Sequence, residues 1–317
     1  MIEDLRTPGD LLHDGDRIQV RPPATPGLLW DTHWLVEAAV HHHGSVLQAR
    51  SLSVEIGGRL TLVEASFTVR AGEKVGLVGR NGAGKTTMLK VLGGEREASA
   101  GVVLRQGALG YLPQDPRPQG AGVDATALSH VLSGRGLDEA VRRVEKLRLT
   151  MEEDASERNV ARYSRAQERF EADGGYGAES EVRRICAGLG LTADRVDLPL
   201  AVLSGGERRR VEIARSLVIQ PSFLLLDEPF SGIDPIQVLE LQKIIFDLKN
   251  SGIGILMTDH NVRETLAVTD RAYIINNGRI FRSGSPESLG NDPEVRRVYL
   301  GEHFSMGIET TRTPRVD

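Results

Sequence analysis

The chain has 317 residues, enough for one large domain or two of ordinary size, and its motifs favour one. Lys and Arg number 39 against 44 Asp and Glu, a formal charge of -5, so no global basic field recruits nucleic acid or anionic lipid, and no direct sequence-specific nucleic-acid binding is expected. The single Cys186 excludes an internal disulfide, the longest apolar runs (FLLL at 223–226, IGILM at 253–257) are far shorter than the ~20 residues that span a bilayer, and the start, MIEDLRTPGDLLHDGD, lacks the basic and apolar regions of a secretory signal.

Residues 1–45 bear prolines, both tryptophans (Trp30, Trp34) and little periodicity, and read as a loose extension. The tract His41, His42, His43 reads as a solvated or engineered remnant sooner than as a metal site. From residue 46, VLQARSLSVEI and LTLVEASFTV alternate apolar and polar residues around a Gly57-Gly58 turn, the pattern of antiparallel strands. KVGLVG reads as a buried strand, followed by a glycine-rich loop and the helix TTMLKVL. Leu137, Val141, Val144, Leu147 and Met151, then Val160, Tyr163 and Phe170, recur at helical spacing and predict two helices. Nine acidic and eight basic residues within 138–172 make this pair either a solvated, projecting hairpin or a docking arm.

Cys186 falls in a helix-like stretch and reads as a buried structural thiol. Further strands are predicted at FLLLD (223–227), IGILMT (253–258) and RAYIIN (271–276), separated by helical segments, with a hairpin turn at Asn277-Gly278. Strand-helix alternation predicts an α/β fold with a mainly parallel core sheet, flanked by antiparallel strands and a helical part.

Three motifs carry chemistry. Gly79-Arg-Asn-Gly-Ala-Gly-Lys-Thr86, between strand and helix, matches the P-loop (Walker A) pattern. Glycines let main-chain N–H groups converge on phosphate at a helix N-terminus, Lys85 adds a fixed cation, and the Thr86 hydroxyl is suited to Mg²⁺. The candidate nucleotide-binding residues are Gly79, Asn81, Gly82, Gly84, Lys85, Thr86 and Thr87. FLLLDEP ends an apolar strand in two carboxylates (Walker B): Asp227 can hold Mg²⁺ and Glu228 can orient or deprotonate the attacking water. LSGGERRRVEIARSL (203–217) begins with a Ser204-x-x-Glu207 capping box and presents free N–H groups beside Gly205 and Gly206, with Val211, Ala214, Leu217 and Val218 as its apolar stripe.

The order P-loop, Gln114, LSGGE, DEP, His260 resembles the ATP-binding cassette (ABC) family over about residues 50–304. The resemblance implies a P-loop NTPase cassette at 46–304 with an antiparallel β subdomain and a helical subdomain (about 115–218) carrying the charged arm (about 137–172), then a flexible tail at 305–317. It further implies ATP and Mg²⁺ as cofactors, ATP hydrolysis as activity, and a homodimer or paired cassette sandwiching two ATP molecules. Ser204, Gly205, Gly206 and Glu207 would then meet the partner's nucleotide in trans. Gln114 would sense Mg²⁺, alongside Thr86 and Asp227 as metal-site residues. His260 would hold the γ-phosphate and order Glu228 and the water. Asp234 would communicate across the dimer, although Asp234, Pro235 and Gln237 also read as the N-cap, N1 proline and capping glutamine of a helix. The family's adenine-stacking aromatic is missing, with Ile56 about where it is expected.

Within the family the chain looks two ways. Residues 50–215 resemble the first cassette of ABC-F proteins, soluble factors acting on ribosomes; residues 222–304 resemble the cassette ATPase of bacterial lipopolysaccharide export. DEPFSGIDP and Thr258-Asp259-His260 depart from ABC-F, whereas the long, arm-bearing separation of Gln114 from Ser204 departs from the exporter. A composite with a junction near 216–222 is the preferred explanation. A lone cassette must pair, so the expected function is a transporter ATPase subunit, cytoplasmic and peripheral on the inner face of the cell membrane, bound to membrane permease subunits. The alternative is an ABC-F-like translation factor acting on ribosomes.

Overall fold

A computed structural model describes residues 44–114, 125–172 and 174–300, apart from the side chain of Tyr176. The extension with Trp30, Trp34 and the histidine tract, and the tail at 305–317, lie outside the described residues.

The chain opens with strands β1 (Val46–Ile56) and β2 (Arg59–Arg70), then β3 (Lys74–Gly79), helix α1 (Lys85–Gly93), and strands β4 (Ala100–Arg105) and β5 (Leu109–Leu112). Helices α2 (Ala127–Leu132), α3 (Asp138–Glu153), α4 (Glu157–Ala172), α5 (Gly175–Gly188) and α6 (Gly205–Leu217) follow. The last part runs β6 (Phe223–Asp227), α7 (Pro235–Asn250), β7 (Gly254–Asp259), α8 (Val262–Val268), β8 (Arg271–Asn276) and β9 (Arg279–Gly284), with short helical turns between and after these elements.

β1 pairs antiparallel with β2 and β4, giving a small sheet of order β2-β1-β4. The main sheet has the order β5-β6-β7-β3-β8-β9, parallel from β5 to β8 and antiparallel at β9. The apolar runs explain that arrangement: every residue of β3, β6 and β7 is buried, as parallel strands covered on both faces require. Asn277 and Gly278, at φ 50° and 73°, form the turn into β9 that their residue types predict.

Side-chain alternation divides the core between the two faces of the main sheet. Leu224, Leu226, Ile255 and Met257 pack with α2, α5, α6 and α7. Phe223, Leu225, Leu256 and Leu77 pack instead with Met88, Leu89 and Leu92 of α1 and with the small sheet. Burying a side chain of this size contributes about 1.5–3 kcal/mol, so each sheet face is fixed by several such contacts. Cys186 lies in the helical part of this core, and burial pushes its thiol pKa up to about 12, which makes it inert. α3 and α4 pack against each other, burying Leu147 and Phe170 while their charges stay outward. No helix among the described residues is long and apolar enough to cross a membrane.

Candidate active site

The parallel pairing brings four chemistry-bearing strand ends to one edge. β5, β6, β7 and β3 are successive neighbours, with Leu112 opposite Leu226, Asp227 opposite Thr258, and Val78 opposite Asp259. Gln114, Asp227-Glu228, Asp259-His260 and the P-loop therefore all emerge at the carboxyl ends of adjacent strands, where open α/β sheets bind ligands.

The P-loop leaves β3 at Gly79 and enters α1 through Gly84, whose φ of 87° is left-handed and suits glycine. Gly84 offers no side-chain cap, so the first N–H groups of α1 remain available to an anion, with Thr86 and Thr87 half-buried in its first turn. Lys85 is buried, and its Nζ donates to the carbonyls of Gly79 (2.7 Å) and Arg80 (3.2 Å). Burial lowers its pKa, opposed by the negative charges of Glu228, Asp227 and Asp259. Asn81 and Gly82 are exposed at the loop's tip.

Asp227 is fully buried: Oδ1 accepts from the Thr258 hydroxyl at 2.6 Å, while Oδ2 has no hydrogen-bond partner. A buried carboxylate oxygen without a partner is costly, and a hard divalent cation supplies what it lacks. The described residues contain no cluster of three or more His, Cys, Asp or Glu able to hold a metal. A single buried carboxylate oxygen of this kind suits Mg²⁺, which takes one or two carboxylates and completes its shell with neutral oxygens.

Glu228 is buried and sits at φ 46°, a left-handed conformation that is strained for a non-glycine residue and unusual before Pro229. Such strain costs about 1–3 kcal/mol and is held by surrounding structure, here the bond from Glu228 N to the Thr258 carbonyl (3.0 Å). Its Oε2 accepts from Gln114 Nε2 at 2.9 Å and lies 3.5 Å from His260 Nδ1. His260 Nδ1 is also 3.3 Å from Asp259 Oδ1, and the imidazole is about half exposed. Gln114, Glu228 and His260 thus form one connected group beside Asp227.

The signature residues are placed differently. Ser204 and Glu207 complete the capping box, with Glu207 N donating to Ser204 Oγ (3.2 Å) and Ser204 N donating to Glu207 Oε2 (2.8 Å). Ser204 and Gly205 are exposed at the start of α6. The expected stripe Val211, Ala214, Leu217 and Val218 is buried. Gly206 is buried against α7: a Cβ there would collide with Gln237 Oε1. Asp234 caps α7, accepting from Ile236 N (3.0 Å) and Gln237 N (3.1 Å), so its structural reading holds, while the Gln237 side chain turns to Gly206. Ile56 stands exposed at the end of β1.

Two participants escaped sequence reasoning. Thr258 looked like the last residue of an apolar strand, yet its hydroxyl and carbonyl hold Asp227 and Glu228. Arg209, the middle of three consecutive arginines, carries no local signal of a role, yet it is only 5% exposed, donating to Pro113 O (3.1 Å), Gln114 O (3.0 Å) and Ser231 O (3.2 Å).

A phosphate cradle, a buried acid pair and a capped signature helix on one parallel sheet define an ATP-binding P-loop ATPase. The ABC transporter family model matches residues 62–231, continuously across the expected junction at 216–222. The lipopolysaccharide export system ATP-binding protein LptB of Haemophilus influenzae is 40% identical over 83% of this chain and all of its own length. The LptB proteins of Acidithiobacillus ferridurans (41%, over 82% of this chain and 99% of that one) and Escherichia coli K12 (39%, over 83% and 100%) are similarly related. Among solved structures, a nucleotide-free ATP-binding cassette from an ABC transporter matches with a TM-score of 0.62 at 23% identity, over 81% of this chain and all of that chain, a likeness of fold. The chain belongs to the ABC transporter ATP-binding family and is an ABC-type ATPase. The similarity to LptB proteins extends well beyond residues 222–304.

Proposed function

We propose that the chain is the ATP-hydrolysing subunit of an ABC transporter, working as a head-to-tail pair around two Mg-ATP. The observation that carries this reading is the buried Glu228, hydrogen-bonded by Gln114, flanked by His260, and next to the unpartnered oxygen of Asp227.

Gly79, Asn81, Gly82, Gly84 and Thr87 line the phosphate path with main-chain N–H groups and a hydroxyl, and Lys85 exchanges its carbonyl partners for phosphate oxygens. Thr86, Asp227 and Gln114 would hold Mg²⁺, which would supply neutralisation of the phosphate charge. Glu228 orients the attacking water and accepts its proton, Gln114 and His260 fix that carboxylate, and His260 holds the γ-phosphate. The exposed Ser204, with Gly205 and Gly206 and with Glu207 holding the cap, completes the partner's site, and Asp234, at the start of the helix whose Gln237 reaches Gly206, links the two sites. Because the related LptB proteins are named for lipopolysaccharide export, membrane permease subunits are the proposed partners, at the inner face of the cell membrane.

The charged α3/α4 hairpin favours a second reading, a soluble factor acting on ribosomes. Affinity capture with the ATP-trapped Glu228→Gln chain separates the two. Permease subunits are the expected catch; ribosomes in their place would establish the second reading.

A further inference from the structure

We propose that Arg209 is a positioning residue for hydrolysis: it holds the Gln114 loop so that the Gln114 amide meets Glu228. This rests on reading Gln114 and Glu228 as the catalytic pair.

The three consecutive arginines of α6 have separate fates. Arg208 is exposed, and Arg210 reaches the surface to pair with Glu240. Arg209 is buried, and its two terminal nitrogens donate to three main-chain carbonyls. Nη1 serves Pro113 and Gln114, and Nη2 serves Ser231. Those carbonyls belong to two loops, one following β5 and the other following Glu228 at the end of β6, and β5 and β6 are paired strands. One planar guanidinium therefore fixes the spacing of the two loops that carry Gln114 and Glu228. A buried cation is costly unless its donors are satisfied, so displacing either loop would strand N–H groups in the interior.

The consequence falls on the side chains. The Gln114 carbonyl is held at 3.0 Å by Arg209, and the Gln114 amide donates to Glu228 Oε2 at 2.9 Å. Fixing that peptide fixes where the amide starts from. Arg209 also lies five residues beyond Ser204 on the same helix, about 7 Å along its axis. The signature helix thus reaches the hydrolytic carboxylate of its own chain through Arg209, Gln114 and Glu228 in turn. A lysine in this place could donate to the same carbonyls but could not hold both loops with a rigid fork.

The test is a double-mutant cycle on the full-length chain: Arg209→Gln, Gln114→Ala and the two combined, with kcat, KM and ATP binding measured for each. Arg209→Gln should lower kcat roughly 10- to 100-fold, the scale of misplacing a catalytic group by an ångström or less, with nucleotide affinity nearly unchanged. The double variant should be no slower than the slower single variant, because both lesions remove one function. Arg209→Lys should fall between wild type and Arg209→Gln; if Arg209→Gln does not fold, as judged by its unfolding transition, the cycle is run with Arg209→Lys. Losses that multiply, or a raised KM with kcat intact, would overturn the proposal. If Gln114→Ala alone leaves turnover unchanged, the assignment of the catalytic pair fails instead.

Discussion

The strand-end site and the signature helix treat their polar groups in opposite ways. At the strand ends, Lys85, Asp227 and Glu228 are buried; Lys85 bonds to its own loop, while Asp227 and Glu228 are held by residues of other elements, with strain tolerated at Glu228. At the start of α6, Ser204 and Gly205 are exposed, and the bonds that organise them come from their own helix. The first region is assembled by tertiary structure and is ready for chemistry. The second is assembled locally and faces outward, as half of a site should. If that contrast is right, damage to the first acts within one chain and damage to the second acts on its partner.

The largest expected effect is that of Lys85→Ala, which removes the fixed cation of the phosphate cradle and should abolish tight Mg-ATP binding in equilibrium titrations. Glu228→Gln should keep binding and accumulate ATP-bound dimers while turnover falls by ~10² or more, the scale of removing a general base. Equal loss of binding in the two variants would erase the distinction between cradle and carboxylate.

Thr258→Val probes how far the buried acids depend on tertiary support. Valine fills the same space but leaves Asp227 Oδ1 without its donor, so both oxygens of a buried carboxylate lack partners. Urea unfolding should reveal a loss of about 1–3 kcal/mol, the cost of an unsatisfied buried polar group. Unchanged stability would mean that Asp227 is not strained by its surroundings.

The smallest effect belongs to the signature cap. Burial works to raise the Glu207 carboxyl, but hydrogen bonds from Ser204 and the charges of Arg195 and Arg210 outweigh it and hold the pKa below the ordinary glutamate value. A carboxyl depressed on folding contributes stability above its unfolded pKa and loses it as pH falls through the folded one. Glu207→Gln should therefore be slightly less stable than wild type at neutral pH, and the gap should close in acid below the carboxylate range. A gap that is independent of pH would show that the cap works through shape alone.

Sequence legibility follows the same contrast. The capping box at Ser204, the apolar stripe of α6, the strand FLLLD and the turn at Asn277-Gly278 depend on residues within a few positions, so spacing and residue type disclose them. The contact of Gln114 with Glu228 and the support of Asp227 by Thr258 depend on strand order and register, which join residues far apart in the chain. Arg209 was hidden for a further reason. Nothing local separates it from Arg208 and Arg210, and only the approach of two loops from the sheet buries it. Asp234 and Pro235 start α7 as their residue types predict, but the expected capping role of the Gln237 side chain is not met: that side chain lies against Gly206, a neighbour that local sequence does not reveal.

The shared site is the central claim, and tethered pairs of chains test it most directly. One pair joins a Lys85→Ala subunit to a Ser204→Arg subunit; controls join two copies of each variant and two wild-type copies. In the mixed pair, one site carries both lesions and the other combines an intact P-loop, Gln114, Asp227, Glu228 and His260 with an intact signature. The account predicts near-zero ATP turnover for each doubled variant and partial recovery in the mixed pair. An active wild-type pair whose mixed counterpart never recovers, or wild-type turnover by a strict monomer at rates independent of protein concentration, would contradict it.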